Sequence, residues 1–141
     1  RKKVRKIIRI NLEESTRFSP IYDSGCCLER KKNDDEIQLM NKDIQLIEKY
    51  INKGKSEIHW DEKKVTHFNL VELLLNDYAD IVKNRIKKVK ENFDANNIIS
   101  LVNNIDANLP DFCNEYKLTK ERKEVIIKIV NLRIEKLLSL L

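Results

Sequence analysis

Glycine and proline are scarce in this sequence, with only two of each among 141 residues. Sheets with many turns need far more of both, because these residues adopt the backbone angles that tight turns require. Lys, Glu, Asn, Ile and Leu dominate the composition instead, and this balance favours long helices. The composition therefore predicts a mainly α protein.

Long hydrophobic runs are also missing. No apolar stretch approaches the roughly 20 residues that span a bilayer, and the first residues lack the apolar core of a signal peptide. We therefore expect a cytoplasmic protein that makes no membrane contact. The sequence opens with Arg1, Lys2 and Lys3 rather than with an initiator methionine, so we expect a fragment of a larger protein.

Cysteine and histidine are few, and their spacing suits neither disulfides nor zinc. Cys26 and Cys27 are adjacent and Cys113 is distant, which gives neither an even disulfide set nor a CxxC metal pair. His59 and His67 have no partner at a recognised zinc spacing. We expect reduced thiols and no zinc site.

The net charge of +5 is concentrated at the amino end, where residues 1–32 hold ten Lys and Arg against four Asp and Glu. Such a basic end is able to contact nucleic acid or another acidic surface, because Lys and Arg neutralise phosphates and release counterions. The other interpretation is a solvated face, since charge runs alone are not specific.

The amino end has the pattern of a short β-hairpin. Residues 4–10 mix β-branched and basic residues, and a polar turn at residues 13–15 separates them from residues 16–19. Pro20 has no backbone N–H, so regular pairing should stop close to Ile21. An irregular loop is expected from there through Gly25.

Helical periodicity begins at Asp34, a candidate cap, and continues to Gly54, where a left-handed residue would end the helix. The apolar residues recur at three- and four-residue steps and form a narrow stripe: Ile37, Met40, Ile44, Ile47 and Ile51. Residues 58–65 have no helical period. We expect a short extended pair there, with a turn at Asp61 and Glu62.

Three further helices are predicted. Residues 68–93 should form the central core helix, whose inward residues are Val71, Leu74, Leu75, Tyr78, Ile81, Val82, Ile86 and Val89. Asp94 caps a shorter helix bearing Ile98, Leu101, Val102 and Ile105. Thr119 caps a last helix that is apolar around most of its circumference and must be buried on several sides. No repeat or linker divides the chain, so residues 1–141 form one unit in which residues 33–141 are a helical subdomain.

The segment of residues 17–25 reads Arg-Phe-Ser-Pro-Ile-Tyr-Asp-Ser-Gly, and it resembles the metal-binding segment of HipA-like serine/threonine kinases. In that family a strand ends in an apolar residue, a small residue and a proline, followed by an aromatic residue and an aspartate that binds magnesium. The corresponding residues here are Phe18, Ser19, Pro20, Tyr22 and Asp23. Residues 23–25 are also similar to the Asp-Phe-Gly of ordinary protein kinases.

An aspartate at this place has a physical purpose. Phosphoryl transfer needs divalent cations that bridge the β- and γ-oxygens of the nucleotide, and a hard oxygen ligand on an anchored strand end holds such a cation. Phe18 and Ile21 would anchor the segment by packing, Pro20 limits its freedom, and Gly25 lets the chain turn away. A plain turn is the alternative interpretation, because turns favour Asp, Ser and Gly.

The resemblance implies the helical carboxy-terminal lobe of a kinase-like fold, with a β-hairpin and metal-site loop in residues 1–32. It implies ATP and Mg²⁺ as cofactors, Asp23 as their ligand, a protein substrate phosphorylated on Ser or Thr, and a toxin–antitoxin setting with a small DNA-binding antitoxin. A second, less specific match covers residues 54–70, where some HipA-like proteins place a Trp and a His-Phe pair before a helix. Those residues here are Trp60, His67 and Phe68.

The family's other active-site parts are not found in this sequence. HipA-like kinases carry a catalytic loop with an Asp base and a metal-binding Asn upstream of the segment, and a nucleotide-binding Lys and a phosphate-covering loop before that. Asn11 lies in no comparable loop. We therefore assign no catalytic residue, expect this chain alone to be inactive, and expect a missing amino-terminal kinase portion to complete the site.

Other candidate residues have simpler interpretations. Cys26 and Cys27 have only a nearby cationic run to lower a thiol pKa, so packing or exposed thiols are favoured over a reactive pair. His67 as a general base competes with a His that caps or packs at a helix start, and Trp60 is expected to fill an apolar pocket. The rival function is a non-enzymatic helical module that docks on nucleic acid or an acidic protein through residues 1–32, in which Asp23 is incidental.

Overall fold

The computed structural model describes residues 28–29 and 31–141, and this part of the chain is mainly helical. In chain order the elements are α1 (Asp34–Lys42), α2 (Ile44–Lys53), β1 (Lys55–Trp60), β2 (Lys63–Thr66), α3 (His67–Asp77), α4 (Ala79–Asn92), α5 (Ala95–Asn104), a 3-10 helix (Asp111–Tyr116) and α6 (Lys120–Leu138). The predicted mainly α class is confirmed. The hairpin predicted at residues 4–19 lies outside the described residues.

The apolar stripe predicted a single helix from Asp34 to Gly54, but the structure has two helices, α1 and α2, in this region. Asp43 interrupts it with an extended backbone (φ −121°, ψ 103°), and its carboxylate accepts a hydrogen bond from the Gln45 backbone at 2.9 Å. This side chain caps α2 and so competes with helix continuation. Asn33, rather than Asp34, caps α1 through a reciprocal pair of hydrogen bonds with Glu36.

Gly54 follows α2 as predicted, but it is not left-handed, since its φ is −57°. Its carbonyl oxygen accepts a hydrogen bond from the His67 backbone at 3.0 Å. A Cβ at this position would lie 3.0 Å from Cδ2 of His67. Close packing against the start of α3, rather than backbone angle, is therefore the reason that glycine suits this place.

The extended pair predicted over residues 58–65 is confirmed as an antiparallel hairpin of β1 and β2. Trp60 pairs with Lys63, and His59 with Lys64. The two residues of the turn, Asp61 and Glu62, both have positive φ, at 46° and 64°. A two-residue turn of this hand matches the right-handed twist of the flanking strands.

The predicted central core helix over residues 68–93 is wrong in both continuity and role. Tyr78 separates α3 from α4, with φ −135° and ψ 42° and no side-chain cap. Tyr78 and Ile81 are 54% and 63% exposed, and the buried residues are Leu70 and Ile86. α4 packs on α3 and α6 along the face that carries Ile86, so the apolar residues rotated away from this face remain outside.

The core lies instead between α1, α2 and α6. Its buried members are Ile37, Met40, Ile47, Ile51, Val125 and Ile129. α6 contacts α1, α2, α4 and α5, and Thr119 caps it by accepting a hydrogen bond from the Arg122 backbone. The predictions of a Thr119 cap and of a last helix buried on several sides are confirmed. α6 is the central helix of the described domain.

A buried ion pair fastens α5 and the following loop to α6. Asp94 caps α5 as predicted, but Leu101 and Ile105 are 63% and 61% exposed, and of the four predicted apolar residues only Val102 is buried. Asp106 is buried and accepts hydrogen bonds from Lys123 Nζ at 2.6 Å and from the Leu118 backbone at 2.8 Å. Both bonds favour the charged carboxylate.

Acid should weaken the ion pair of Asp106 with Lys123. The hydrogen bond from Lys123, and next to it the one from the Leu118 backbone, hold the pKa of Asp106 below its ordinary value of 3.8. The contribution of Asp106 to stability is therefore complete above that value and is lost as the pH falls through the lower folded-state pKa. We expect Asp106→Asn to lower the urea midpoint at neutral pH and to flatten the decline of the midpoint as the pH falls below the ordinary carboxyl pKa of 3.8.

Chemical denaturation of the two proteins across this pH range measures the effect. Asp111→Asn, a change of the same kind on an exposed residue of the 3-10 helix, is the control and should keep the wild-type midpoint at neutral pH. Parallel curves for wild type and Asp106→Asn through the acid range would contradict the assignment.

Candidate functional site

The candidate metal ligand, Asp23, and the whole of its segment lie outside the described residues, as do Cys26 and Cys27. The structure describes the chain again from Leu28, five positions after Asp23 in the sequence. It therefore shows what the candidate segment is joined to.

The join is a turn of unusual backbone conformation, which we call the anchor turn (Leu28 and Glu29). Both residues have positive φ, 57° and 58°, a conformation that costs free energy in any residue with a Cβ other than Asn or Asp. Leu28 packs against the core cluster, and the Lys32 backbone donates to the Glu29 carbonyl at 3.0 Å. Packing on one side and hydrogen bonding on the other hold the turn.

Arg122, in the first turn of α6, contacts the anchor turn although it lies 93 positions after Glu29 in the sequence. Its guanidinium donates to three acceptors: the carbonyl oxygens of Glu29 at 3.4 Å and Lys32 at 2.8 Å, and the carboxylate of Asp34 at 3.0 Å. Only 15% of the Arg122 side chain is exposed. We call this set of contacts the Arg122 clamp; it uses the planar, multi-donor geometry that distinguishes Arg from Lys.

The pKa values of the two glutamates beside the clamp, Glu29 and Glu36, are shifted in opposite directions. Partial burial raises the pKa of Glu29, while Lys32 opposes that rise. The Asn33 backbone N–H, and then Lys32, lower the pKa of Glu36. The ion pair of Lys32 with Glu36, at 3.4 Å on an exposed surface, contributes little on its own. The anchor turn is thus held mainly by Arg122 and by the packing of Leu28.

An open groove of about 510 Å³ lies next to the anchor turn, between α1 and α2. Its lining includes the apolar residues Leu39, Met40, Leu46 and Tyr50 and charged residues from both helices. Leu39 is 60% exposed. Glu29 lines the groove, so this residue belongs to both the anchor turn and the groove.

Comparison with protein-family models, with curated proteins and with solved structures gives no match. The residues themselves therefore carry the functional argument. No helix in the described part of the chain combines the length and the apolarity that crossing a bilayer requires.

The histidines and the tryptophan do not join the anchor turn. His67 begins α3 against Gly54, and burial, followed by the charge of Arg133, lowers its pKa. This favours the neutral imidazole and matches the interpretation of His67 as a residue that packs at a helix start. Trp60, at the end of β1, is half-buried.

Metal ligands are not clustered in residues 28–29 and 31–141, which contain no group of three or more His, Cys, Asp or Glu side chains suited to an ion.

Cys113 is a free thiol, half-buried in the 3-10 helix. Of the basic amino end, most residues lie outside the described part.

Sequence reasoning missed Arg122 and the anchor turn. Leu28 and Glu29 carry no turn signal, because positive φ is typical of Gly and Asn rather than of Leu or Glu. Arg122 is one of 28 Lys and Arg residues, and no periodicity distinguishes it. The contact of Arg122 with Glu29 joins residues 93 positions apart, so it becomes visible only in the folded structure.

Proposed function

We propose that this chain is the helical carboxy-terminal part of an ATP-dependent serine/threonine kinase of the HipA-like type, in which Asp23 binds magnesium. The observation that carries the proposal is the run of residues 17–25, whose Phe18, Ser19, Pro20, Tyr22 and Asp23 follow the family's order, with Ile21 between Pro20 and Tyr22.

The chemistry of Asp23 suits the metal. Mg²⁺ prefers oxygen ligands and binds through one or two carboxylates together with substrate phosphates, so a single aspartate is a sufficient contribution from this part of the protein. Bound magnesium would neutralise charge on the β- and γ-phosphates. The base, the second metal ligand and the lysine that holds the nucleotide would come from the amino-terminal kinase portion.

The anchor turn supports the proposal by a separate physical argument. Phosphoryl transfer depends on positioning, and a misplacement of about 1 Å lowers the rate steeply. A metal ligand must therefore be joined to a rigid element. The segment that contains Asp23 continues into Leu28, which packs on the core cluster of α1, α2 and α6.

The proposed setting follows from the same resemblance. The kinase would act in the cytoplasm, phosphorylate a protein on Ser or Thr, and be held by a DNA-binding antitoxin. The basic residues 1–32 would then be a solvated surface rather than the site of function.

Radiolabel transfer tests the proposal directly. The complete protein, expressed with the residues encoded upstream of Arg1, is incubated with γ-labelled ATP and Mg²⁺, and phosphoserine and phosphothreonine are identified by mass spectrometry. We expect label on Ser or Thr that disappears with EDTA, and none with the 141-residue chain alone. Absence of label, together with salt-sensitive binding of residues 1–141 to random DNA, would contradict the kinase proposal. It would support the non-enzymatic interaction module instead.

A further inference from the structure

We infer that a pocket between the start of α3 and the carboxy-terminal half of α6 binds a small monocarboxylic acid with an apolar tail. The pocket, which we call the α3–α6 pocket, has a volume of about 250 Å³, and its lining consists of His67, Phe68, Val71, Arg133, Ile134 and Leu137. All of these residues belong to the described part of the chain. Such binding would be independent of the proposed kinase function, because none of these residues takes part in the proposed magnesium site.

Most of the lining residues give the α3–α6 pocket apolar walls. Phe68, Val71, Ile134 and Leu137 are each half-buried, so part of their carbon surface is left for a ligand to cover, which is favourable. A water molecule takes about 30 Å³ of liquid, and a volume of about 250 Å³ therefore holds roughly eight groups of that size. A tail of about six to eight carbons follows from this volume.

Arg133 supplies the fixed positive charge at the α3–α6 pocket. Its guanidinium carbon lies 5.3 Å from the centroid of the Tyr50 ring. Within residues 28–29 and 31–141 this guanidinium donates no hydrogen bond and forms no ion pair. A cation–π contact leaves the N–H donors unsatisfied, and the guanidinium fork holds a carboxylate through two parallel N–H···O bonds. Arg133 is therefore the group that would bind the carboxylate.

The charges around the pocket favour an anionic ligand. None of its lining residues is Asp or Glu, and Lys136 adds a second positive charge, with its Nζ 4.6 Å from the centroid of the Phe68 ring. Burial, followed by the charge of Arg133, lowers the pKa of His67, and Glu57 opposes that shift, but Glu57 is itself paired with a lysine at 2.9 Å. The groove between α1 and α2 differs, because its lining contains two glutamates and three lysines and so selects neither sign of charge.

Titration of the isotope-labelled 141-residue chain with octanoate, followed by nuclear magnetic resonance, measures this binding and locates it in one experiment. We expect saturable shifts of the backbone amide signals in α3 near Phe68 and Val71 and in α6 near Ile134 and Leu137. Each buried methylene contributes about fourfold in affinity, so hexanoate should bind about 15-fold more weakly than octanoate. Shifts that do not saturate, or that are confined to the groove between α1 and α2, would overturn the inference.

Two ligands with the same tail separate the effect of charge from that of apolar burial. Octanol keeps the tail but has no charge, and hydrogen bonds between charged groups are stronger than neutral ones, so octanol should bind more weakly than octanoate by about tenfold or more. Octylammonium reverses the charge and should show no saturable binding at this pocket. Equal affinities for octanoate and octanol would show that Arg133 does not hold a carboxylate, which contradicts the inference.

Arg133→Gln removes the positive charge from the pocket and keeps a polar side chain. We expect the affinity for octanoate to fall by about tenfold or more, while the affinity for octanol stays close to that of wild type. The matched control is Lys120→Gln, which removes one positive charge from an 85% exposed side chain at the start of the same helix and should leave octanoate binding unchanged.

Wild-type affinity for octanoate in a folded Arg133→Gln protein would remove Arg133 from the site and overturn the assignment of a carboxylate ligand. If Arg133→Gln does not fold, the comparison of octanoate with octanol on the wild-type chain decides between the same two outcomes.

Discussion

Under the proposed function, replacing Asp23 by Asn in the complete protein is expected to lower the rate of phosphoryl transfer by more than about 100-fold. The reason is electrostatic. Asn keeps the size of the side chain but removes the negative charge that a hard cation requires of its ligand. Loss of an outer-sphere partner already costs 10- to 100-fold in many metal sites, so loss of an inner-sphere carboxylate should exceed that range. Initial rates at saturating ATP, measured over a series of Mg²⁺ concentrations, give the result.

The matched control is Asp61→Asn. Asp61 lies in the β1–β2 turn with φ 46°, and Asn adopts positive φ as readily as Asp does, so the substitution removes one carboxylate without disturbing the turn. We expect its rate to equal that of wild type. An Asp23→Asn protein whose activity stays within a few-fold of wild type would remove Asp23 from the metal site.

Ile129→Ala is expected to lower the free energy of unfolding by about 3 to 5 kcal/mol. Ile129 has no exposed surface and belongs to the cluster between α1, α2 and α6. Truncation to Ala removes three carbons from a site with neighbours on every side, and a cavity remains because three helices cannot all move inward. Urea denaturation followed by circular dichroism measures the change.

Ile81→Ala provides the comparison for the core substitution. The chemical change is identical, but Ile81 is 63% exposed on α4, so we expect a loss below about 0.5 kcal/mol. Equal losses at the two positions would contradict the exposure of Ile81 and support the sequence prediction that this residue faces the core.

Four of the five residues in the predicted apolar stripe are buried, whereas Ile44 is 47% exposed. The stripe also did not predict where the backbone breaks. Met40 and Ile44 are four residues apart, a spacing that an unbroken helix also has. The break depends on whether the Asp43 carboxylate bonds to the chain ahead of it, and periodicity carries no information on that competition. At Tyr78 even this signal is lacking, because no side chain caps the junction.

The assignment of the central helix failed for a different reason. Residues 68–93 and α6 both carry many apolar residues, and a hydrophobic count does not say which helix lies between the others. Ile81 and Ile86 look alike in sequence, yet one is 63% exposed and the other 3%. The difference comes from which face of α4 meets α3 and α6, and this is set by packing over long sequence distances.

For the candidate site, the sequence predicted the ligand Asp23, and the structure describes the chain from Leu28 onward. Asp23 was identified from neighbouring residue types, which a motif records. The partners of Arg122 include two backbone carbonyl oxygens, and a carbonyl oxygen has no residue identity to recognise. The assignment of Asp23 to magnesium stays a prediction, since that residue lies outside the described part of the chain.

The position of α6 in the chain has a consequence for synthesis on the ribosome. α1 and α2 are made first, but the surface that buries Ile37 and Ile47 is completed by Val125 and Ile129, which emerge some 80 residues later. At translation rates of roughly 5–20 residues per second, the nascent α1 and α2 wait several seconds with their apolar stripes uncovered. A chaperone that binds short hydrophobic peptides has that interval in which to engage them, and release would coincide with the arrival of α6.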